Sequence, residues 1–255
     1  IIYERGIGVK QSYLKAKIFY ELSSKQNNSF SINKLGEFYE KGYGVEQNYS
    51  KAKEYYEISA KQNNSTAINN IGNLYFYGHG VKQNYSKAKK YYEISSKQNN
   101  SYALKNIGDL YNYGYGVEQN FIKAKEYYEL SAAQNNSDAF ISLGTMYKNG
   151  DGVEKNYDKA IKYYEIAASQ NNSNALINLG DLYYYGIGFP KYYYKAVNYY
   201  MKSVFLSNSN ALLIIGDMIL KNDFNEGMQN IAPIFYKASA LMNNPEAFYK
   251  LGEIL

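Results

Sequence analysis

Several groupings in this 255-residue sequence have residue types and spacings that could do chemistry. Ser12-x-x-Lys15 and Ser31-x-x-Lys34 have the spacing of a serine nucleophile and a lysine base. Neither is joined by the Ser-Asp-Asn and Lys-Thr-Gly elements that complete such a site, and a serine without base and oxyanion partners is only a hydroxyl. Gly-x-Gly pairs, as at Gly78 and Gly80, invite a phosphate-loop reading, but they complete neither the Rossmann spacing nor the Lys-Ser/Thr of a P-loop, and no strand precedes them. His79 is the single histidine, and with no cysteine in the chain a closed transition-metal site is not expected. Accordingly no catalytic, metal or cofactor residue is assigned, and the chain is read as a non-enzyme.

What must position these groups is a repeat. Gly36, Gly72, Gly108, Gly144, Gly180, Gly216 and Gly252 lie 36 residues apart, each after Leu or Ile. The same step carries Gly-x-Gly from Gly42/Gly44 to Gly186/Gly188, an alanine from Ala52 to Ala196, the doublets Tyr55-Tyr56 to Tyr199-Tyr200, and Asn-Asn at 27, 63, 99, 135 and 171. The sequence predicts one array over 1–255. It comprises a half unit 1–28, whole units 29–64, 65–100, 101–136, 137–172 and 173–208, a degenerate unit 209–244, and a half unit 245–255.

Within 65–100, Ala67, Ile68, Ile71, Leu74 and Tyr75 form the apolar stripe of a first helix, A. Gly72 lies on that stripe, where its cost of about 1 kcal/mol against Ala implies a close backbone contact with a neighbouring helix. Ala88, Tyr91, Tyr92 and Ser95 mark a second helix, B, with Asn84 or Ser86 as N-cap. The Asn-Asn pair supplies a left-handed residue and then the cap of the next helix A. Gly-x-Gly is read as a turn needing positive φ, and the tyrosine doublets as core. Unit 209–244 has Asn222 and Phe224 in place of Gly-x-Gly, and Pro233 inside helix B, so a different turn and a late second helix are expected. Pro190 disturbs the preceding turn, which lacks the usual Asn at 192.

Composition narrows the partners. The longest purely apolar run, Ala211 to Ile215, falls far short of the ~20 residues a membrane helix needs, so no membrane span is expected. Net charge is only +5, and Arg5 is the single arginine. Lys51, Lys53, Lys87 and Lys89 alternate with Glu57 and Glu93 in a ladder whose expected pairs are Glu57 to Lys61 and Glu93 to Lys97. Nucleic-acid binding would favour an unbroken basic strip, and none is predicted. Asn-x-Ser/Thr sequons at Asn48, Asn63, Asn64, Asn84, Asn99, Asn135 and Asn171 would be glycosylation candidates in a secretory eukaryotic setting, but their periodicity fits capping chemistry better. The opening Ile1-Ile2-Tyr3, in mid-repeat and without an initiator Met, is read as an internal start.

The pattern Ala-x3-[Leu/Ile]-Gly-x2-Tyr-x2-Gly-x-Gly-Val followed by Lys-Ala-x2-Tyr-Tyr, nearly intact over 67–92, resembles the Sel1-like repeat, a relative of the tetratricopeptide repeat. The resemblance implies an all-α fold, an α/α solenoid of antiparallel helix pairs in a right-handed superhelix, with helix A lining the concave side and an adaptor role in protein complexes. Some relatives carry a disulfide per repeat, which this chain cannot form.

Repeated residues build such a stack, and the varying ones face outward. After the helix A glycine stand Glu37, Asn73, Asp109, Thr145, Asp181, Asp217 and Glu253. Three residues earlier than these, Lys34, Asn70, Asn106, Ser142, Asn178 and Ile214 form a neighbouring column on one helix face. A protein or peptide partner is expected in the concave groove on Asn70, Asn73, Asn106, Asp109, Asn178 and Asp181, with Phe76, Tyr77, Tyr113 and Tyr185 as rim anchors. The alternative is a structural or sensory segment that spaces or couples other domains of a larger protein. The sequence names neither partner nor oligomeric state.

Overall fold

A computed structural model describes residues 1–221 and 229–254. The chain divides into two compact units, 1–135 and 136–255. In the first, the short α1 (Ile2–Arg5) precedes α2 (Tyr13–Ser24), and three helix pairs follow: α3 (Ser29–Lys41) with α4 (Tyr49–Ala60), α5 (Ser65–Tyr77) with α6 (Tyr85–Ser96), and α7 (Ser101–Tyr113) with α8 (Phe121–Ala132). In the second, the pairs are α9 (Ser137–Asn149) with α10 (Tyr157–Ser169), α11 (Ser173–Tyr185) with α12 (Tyr193–Phe205), and α13 (Ser209–Leu220) with α14 (Ala232–Leu241), followed by α15 (Pro245–Ile254). The fold is an all-α array of antiparallel pairs in 36-residue repeats.

Each pair is held by one device. A Cβ added to Gly72 would lie 2.5 Å from Cε1 of Tyr92, so glycine is needed to seat the ring of helix B's second tyrosine. The expected backbone contact is thus corrected: the close neighbour is an aromatic ring. Tyr56, Tyr92, Tyr128, Tyr164, Tyr200 and Tyr236 are the largest fully buried side chains. These rings also serve the space between repeats: Ala52 and Tyr56 of α4 form one core with Ala67, Ile71 and Leu74 of α5. An oxygen completes the closure, with Ser95 Oγ donating to the Ser65 carbonyl at 2.7 Å and Ser59 repeating the bond to Ser29 at 2.7 Å.

The boundaries follow the side-chain chemistry. Asn64 and Asn84 cap α5 and α6 by accepting from Ala67 N–H and Lys87 N–H. Asn27, Asn63, Asn99, Asn135 and Asn171 hold φ between 56° and 63°, the left-handed region that Asn tolerates best after Gly. Gly80 has φ 65°, and a Cβ there would come within 2.7 Å of Tyr49 Cβ. The Gly-x-Gly turn is therefore both left-handed and pressed onto the start of the preceding helix B.

Where the sequence departs, so does the structure. Tyr192 stands at the N-cap of α12 and makes no side-chain cap bond. In 209–244 a 3-10 turn at Gln229–Ile231 precedes α14, which begins late with Pro233 in its first turn. Asn222 and Phe224, the expected replacements of Gly-x-Gly, lie outside the described residues. Salt bridges on the B helices also correct the expected direction. Lys53 pairs with Glu57 at 2.7 Å and Lys89 with Glu93 at 3.5 Å, each lysine preceding its acid, while Lys61 and Lys97 end their helices through backbone bonds.

Candidate functional site

The helix A face of the first unit carries a hydrogen-bonded ladder that crosses from repeat to repeat. Asn70 Nδ2 donates to Asn33 Oδ1 at 3.2 Å. Asn106 Nδ2 donates to Asn69 Oδ1 at 3.0 Å and to Asn73 Oδ1 at 3.2 Å. Asn33 in turn donates to Glu37 Oε1 at 2.8 Å. The sequence reading missed Asn33 and Asn69, buried members one column beside Asn70 and Asn106. Amides recurring at that column in successive repeats were the available signal.

The column after the glycine has a structural task. Tyr92 Oη donates to Asn73 Oδ1 at 2.8 Å and Tyr128 Oη to Asp109 Oδ1 at 2.8 Å. In the second unit Tyr200 donates to Asp181 at 2.7 Å and Tyr236 to Asp217 at 2.6 Å. At these four positions the polar column receives the hydroxyl of the same ring that seats on the glycine, which satisfies a phenol that would otherwise be buried unpaired, whereas Tyr56, seated on Gly36, donates to Glu40 instead of Glu37. Asp109 also holds Lys105 at 2.6 Å. These carboxylates meet any ligand with internal partners already in place.

Electrostatics follow from this burial. Desolvation raises the pKa of Tyr92 and pushes that of Tyr164 up to about 12, so these phenols stay protonated at neutral pH. Desolvation also raises Asp181 above its ordinary value, against the lowering effect of the Tyr200 bond. Asn178, one column away, is half-buried.

The rim residues divide into two kinds. Tyr77, Tyr113 and Tyr185 are 61%, 59% and 59% exposed. Phe76 is half-buried in the turn cluster, with its ring 5.2 Å from Tyr85 and 5.4 Å from Tyr115. Phe76 therefore covers a turn, while the three tyrosines stay exposed with rings beside them, Tyr77 edge-on to Phe76 at 4.9 Å, Tyr113 5.5 Å from Tyr115 and Tyr185 4.7 Å from Tyr184. His79 stacks on Tyr49 at 4.5 Å and Tyr77 at 5.4 Å as a turn side chain. Ser12 caps α2, and Ser31 is buried against Ser23 Oγ at 2.8 Å, so both Ser-x-x-Lys serines serve the scaffold. On the helix B side, Tyr39, Tyr75 and Tyr111 stack on Tyr55, Tyr91 and Tyr127, and lysines such as Lys51 and Lys87 lie over the helix A rings.

Comparison with known proteins agrees with this geometry. The crystal structure of a Sel1 repeat protein from Oxalobacter formigenes is similar, with 27% identity, TM-score 0.72, and coverage of 89% of this chain and 94% of that one. A protective antigen of uropathogenic Escherichia coli displaying an SLR fold matches 99% of this chain at 27% identity and TM-score 0.61, and the chain spans 54% of that protein's length. An immunity protein from Pseudomonas aeruginosa shares the fold, at 20% identity and TM-score 0.62 over 77% of this chain and 75% of its own. No curated protein matches. The Sel1 repeat model matches residues 1–28, 29–64, 65–100, 101–136, 139–172 and 173–203, and the chain belongs to the Sel1 repeat family.

Proposed function

We propose that the chain is a protein-interaction scaffold whose helix A faces bind an extended segment of a partner protein. The observation that carries this reading is the amide ladder of the first unit. Asn70 and Asn106 are half-buried and bond across repeats, yet each amide retains hydrogen-bonding capacity for a peptide backbone. Tyr77 and Tyr113 lie near it as exposed, low-entropy aromatic anchors. In the second unit Asn178, Asp181 and Tyr185 occupy the equivalent positions. The occurrence of this fold among immunity proteins agrees with a protein partner.

Because Asn73 and Asp109 hold buried tyrosines, their removal would test folding as much as binding. The informative variant is Tyr77→Ala/Tyr113→Ala combined with Asn70→Ala. Affinity capture with wild type and variant, each checked for an unchanged melting temperature, should recover partners with the wild type alone. Equal recovery rejects the helix A face.

A further inference from the structure

A second surface in the unit 136–255 breaks the repeat pattern in a coordinated way. Helix B ends in Lys-Gln at Lys25-Gln26, Lys61-Gln62 and Lys97-Gln98, and keeps the glutamine at Gln134 and Gln170. At the end of α12 these positions become Phe205-Leu206, and one repeat later Leu241-Met242. The exchanged residues are not drawn inward: Phe205 is 81% and Leu241 85% exposed. Solvent-facing positions have become large and apolar while the period holds, which marks a contact surface better than scattered exposed residues do.

Charges change at the same place. Glu21, Glu57, Glu93 and Glu129 each pair with the lysine four residues earlier. Glu165 has Ile161 at that position and makes no ion pair among the described residues. The nearby Lys195 lies instead over the Tyr183 ring, 4.0 Å from its centroid. Lys202 replaces the Ile58, Ile94, Leu130 and Ile166 of the other repeats. Glu165 and Lys202 both line a cavity of about 380 Å³ with Ala168, Leu176, Leu179 and Phe205 among its walls.

We propose that this surface is a two-fold interface with a second copy of the chain. A two-fold contact uses one patch twice, so the patch must carry both halves of every interaction. This one carries an exposed ring, Phe205, that itself forms one wall of a largely apolar hollow, and an anion, Glu165, on the same hollow as a cation, Lys202, which lies 5.5 Å over the Tyr199 ring. In the dimer Phe205 of each copy enters the hollow of the other, and Glu165 meets the partner copy's Lys202. The inference is independent of the helix A face.

The test is the mass of the intact chain by sedimentation equilibrium over roughly 1–100 µM, the range of a modest specific contact. The wild type should associate to a dimer. Phe205→Lys/Leu206→Gln restores the residues found at 61 and 62, so the fold should keep its helical spectrum and melting behaviour while association weakens by at least about tenfold. Glu165→Lys should weaken it by setting two cations together, and Glu165→Lys/Lys202→Glu should restore it. A monomeric wild type, a dimer indifferent to Phe205→Lys/Leu206→Gln, or a charge swap no better than Glu165→Lys alone would overturn the proposal. So would a monomer that binds vesicles or a different protein through Phe205, which would give the surface another occupant.

Discussion

The hairpins 65–96 and 209–241 differ in how their second helices begin and in almost nothing that holds their helices together. The first turns through Gly78-His79-Gly80 and starts its second helix on the Asn84 cap. The second starts its helix at Ala232, after a 3-10 turn and with a proline in the first turn. Both seat a helix B tyrosine on a helix A glycine, Tyr92 on Gly72 and Tyr236 on Gly216. Both give that phenol an acceptor, Asn73 or Asp217, and both close with a serine, Ser95 to Ser65 and Ser239 to Ser209. The lock between helices, more than the turn, defines the repeat. A turn fixes few contacts, whereas a buried aromatic ring touches both helices of its pair and the next repeat.

The largest test removes the lock. Tyr92→Ala should cost about 3–5 kcal/mol, the range for deleting a buried aromatic, and Tyr236→Ala should cost a similar amount despite its altered turn. Chemical denaturation followed by circular dichroism reads both, and a much smaller loss for Tyr236→Ala would break the comparison. Filling the notch is next. Gly72→Ala should cost about 1–3 kcal/mol by overpacking, and the double variant with Tyr92→Ala should cost less than the two singles summed, because the cavity accepts the methyl.

Altering the turn alone should matter less. Gly80→Ala places a side chain at positive φ against Tyr49, for an expected loss of about 1 kcal/mol or more in thermal melts; an unchanged melting temperature would remove the turn's steric explanation. The smallest effect concerns the acceptor. Asp181 has a folded pKa raised above 3.8, so folding favours its protonated form, and its contribution to stability is full below the unfolded value and lost as pH rises through the folded one. Asp181→Asn keeps an acceptor for Tyr200, as Asn73 does for Tyr92, and removes the buried charge. Its melting temperature should exceed wild type by about 1–3 °C at pH 7, with the gain shrinking as pH approaches 3.8. A gain constant with pH would assign the effect to something other than ionisation.

Much of the scaffold was legible in advance because its causes are local or strictly periodic. The Asn-Asn pairs serve as a left-handed residue and a cap because the short amide side chain suits both positions. Pro233 delayed its helix for the same kind of local reason. The candidate face was legible only in part. Asn70 and Asn106 stand in a polar column as expected, but the pairing of Asn73 and Asp109 with tyrosines 19 residues later depends on how two helices lean together. The helix B ion pairs were misjudged because spacing alone does not tell which lysine a glutamate reaches.

By itself, then, the sequence determined the period, the helices and their caps, since backbone conformation responds to residues a few positions away. Only the tertiary structure decided how the polar residues are spent. The hydroxyls of Tyr128 and Tyr200 need acceptors once their rings are buried, and the helix A carboxylates of Asp109 and Asp181 supply them. It also showed Phe205 and Leu241 on the surface, where apolar side chains remain in water unless something covers them.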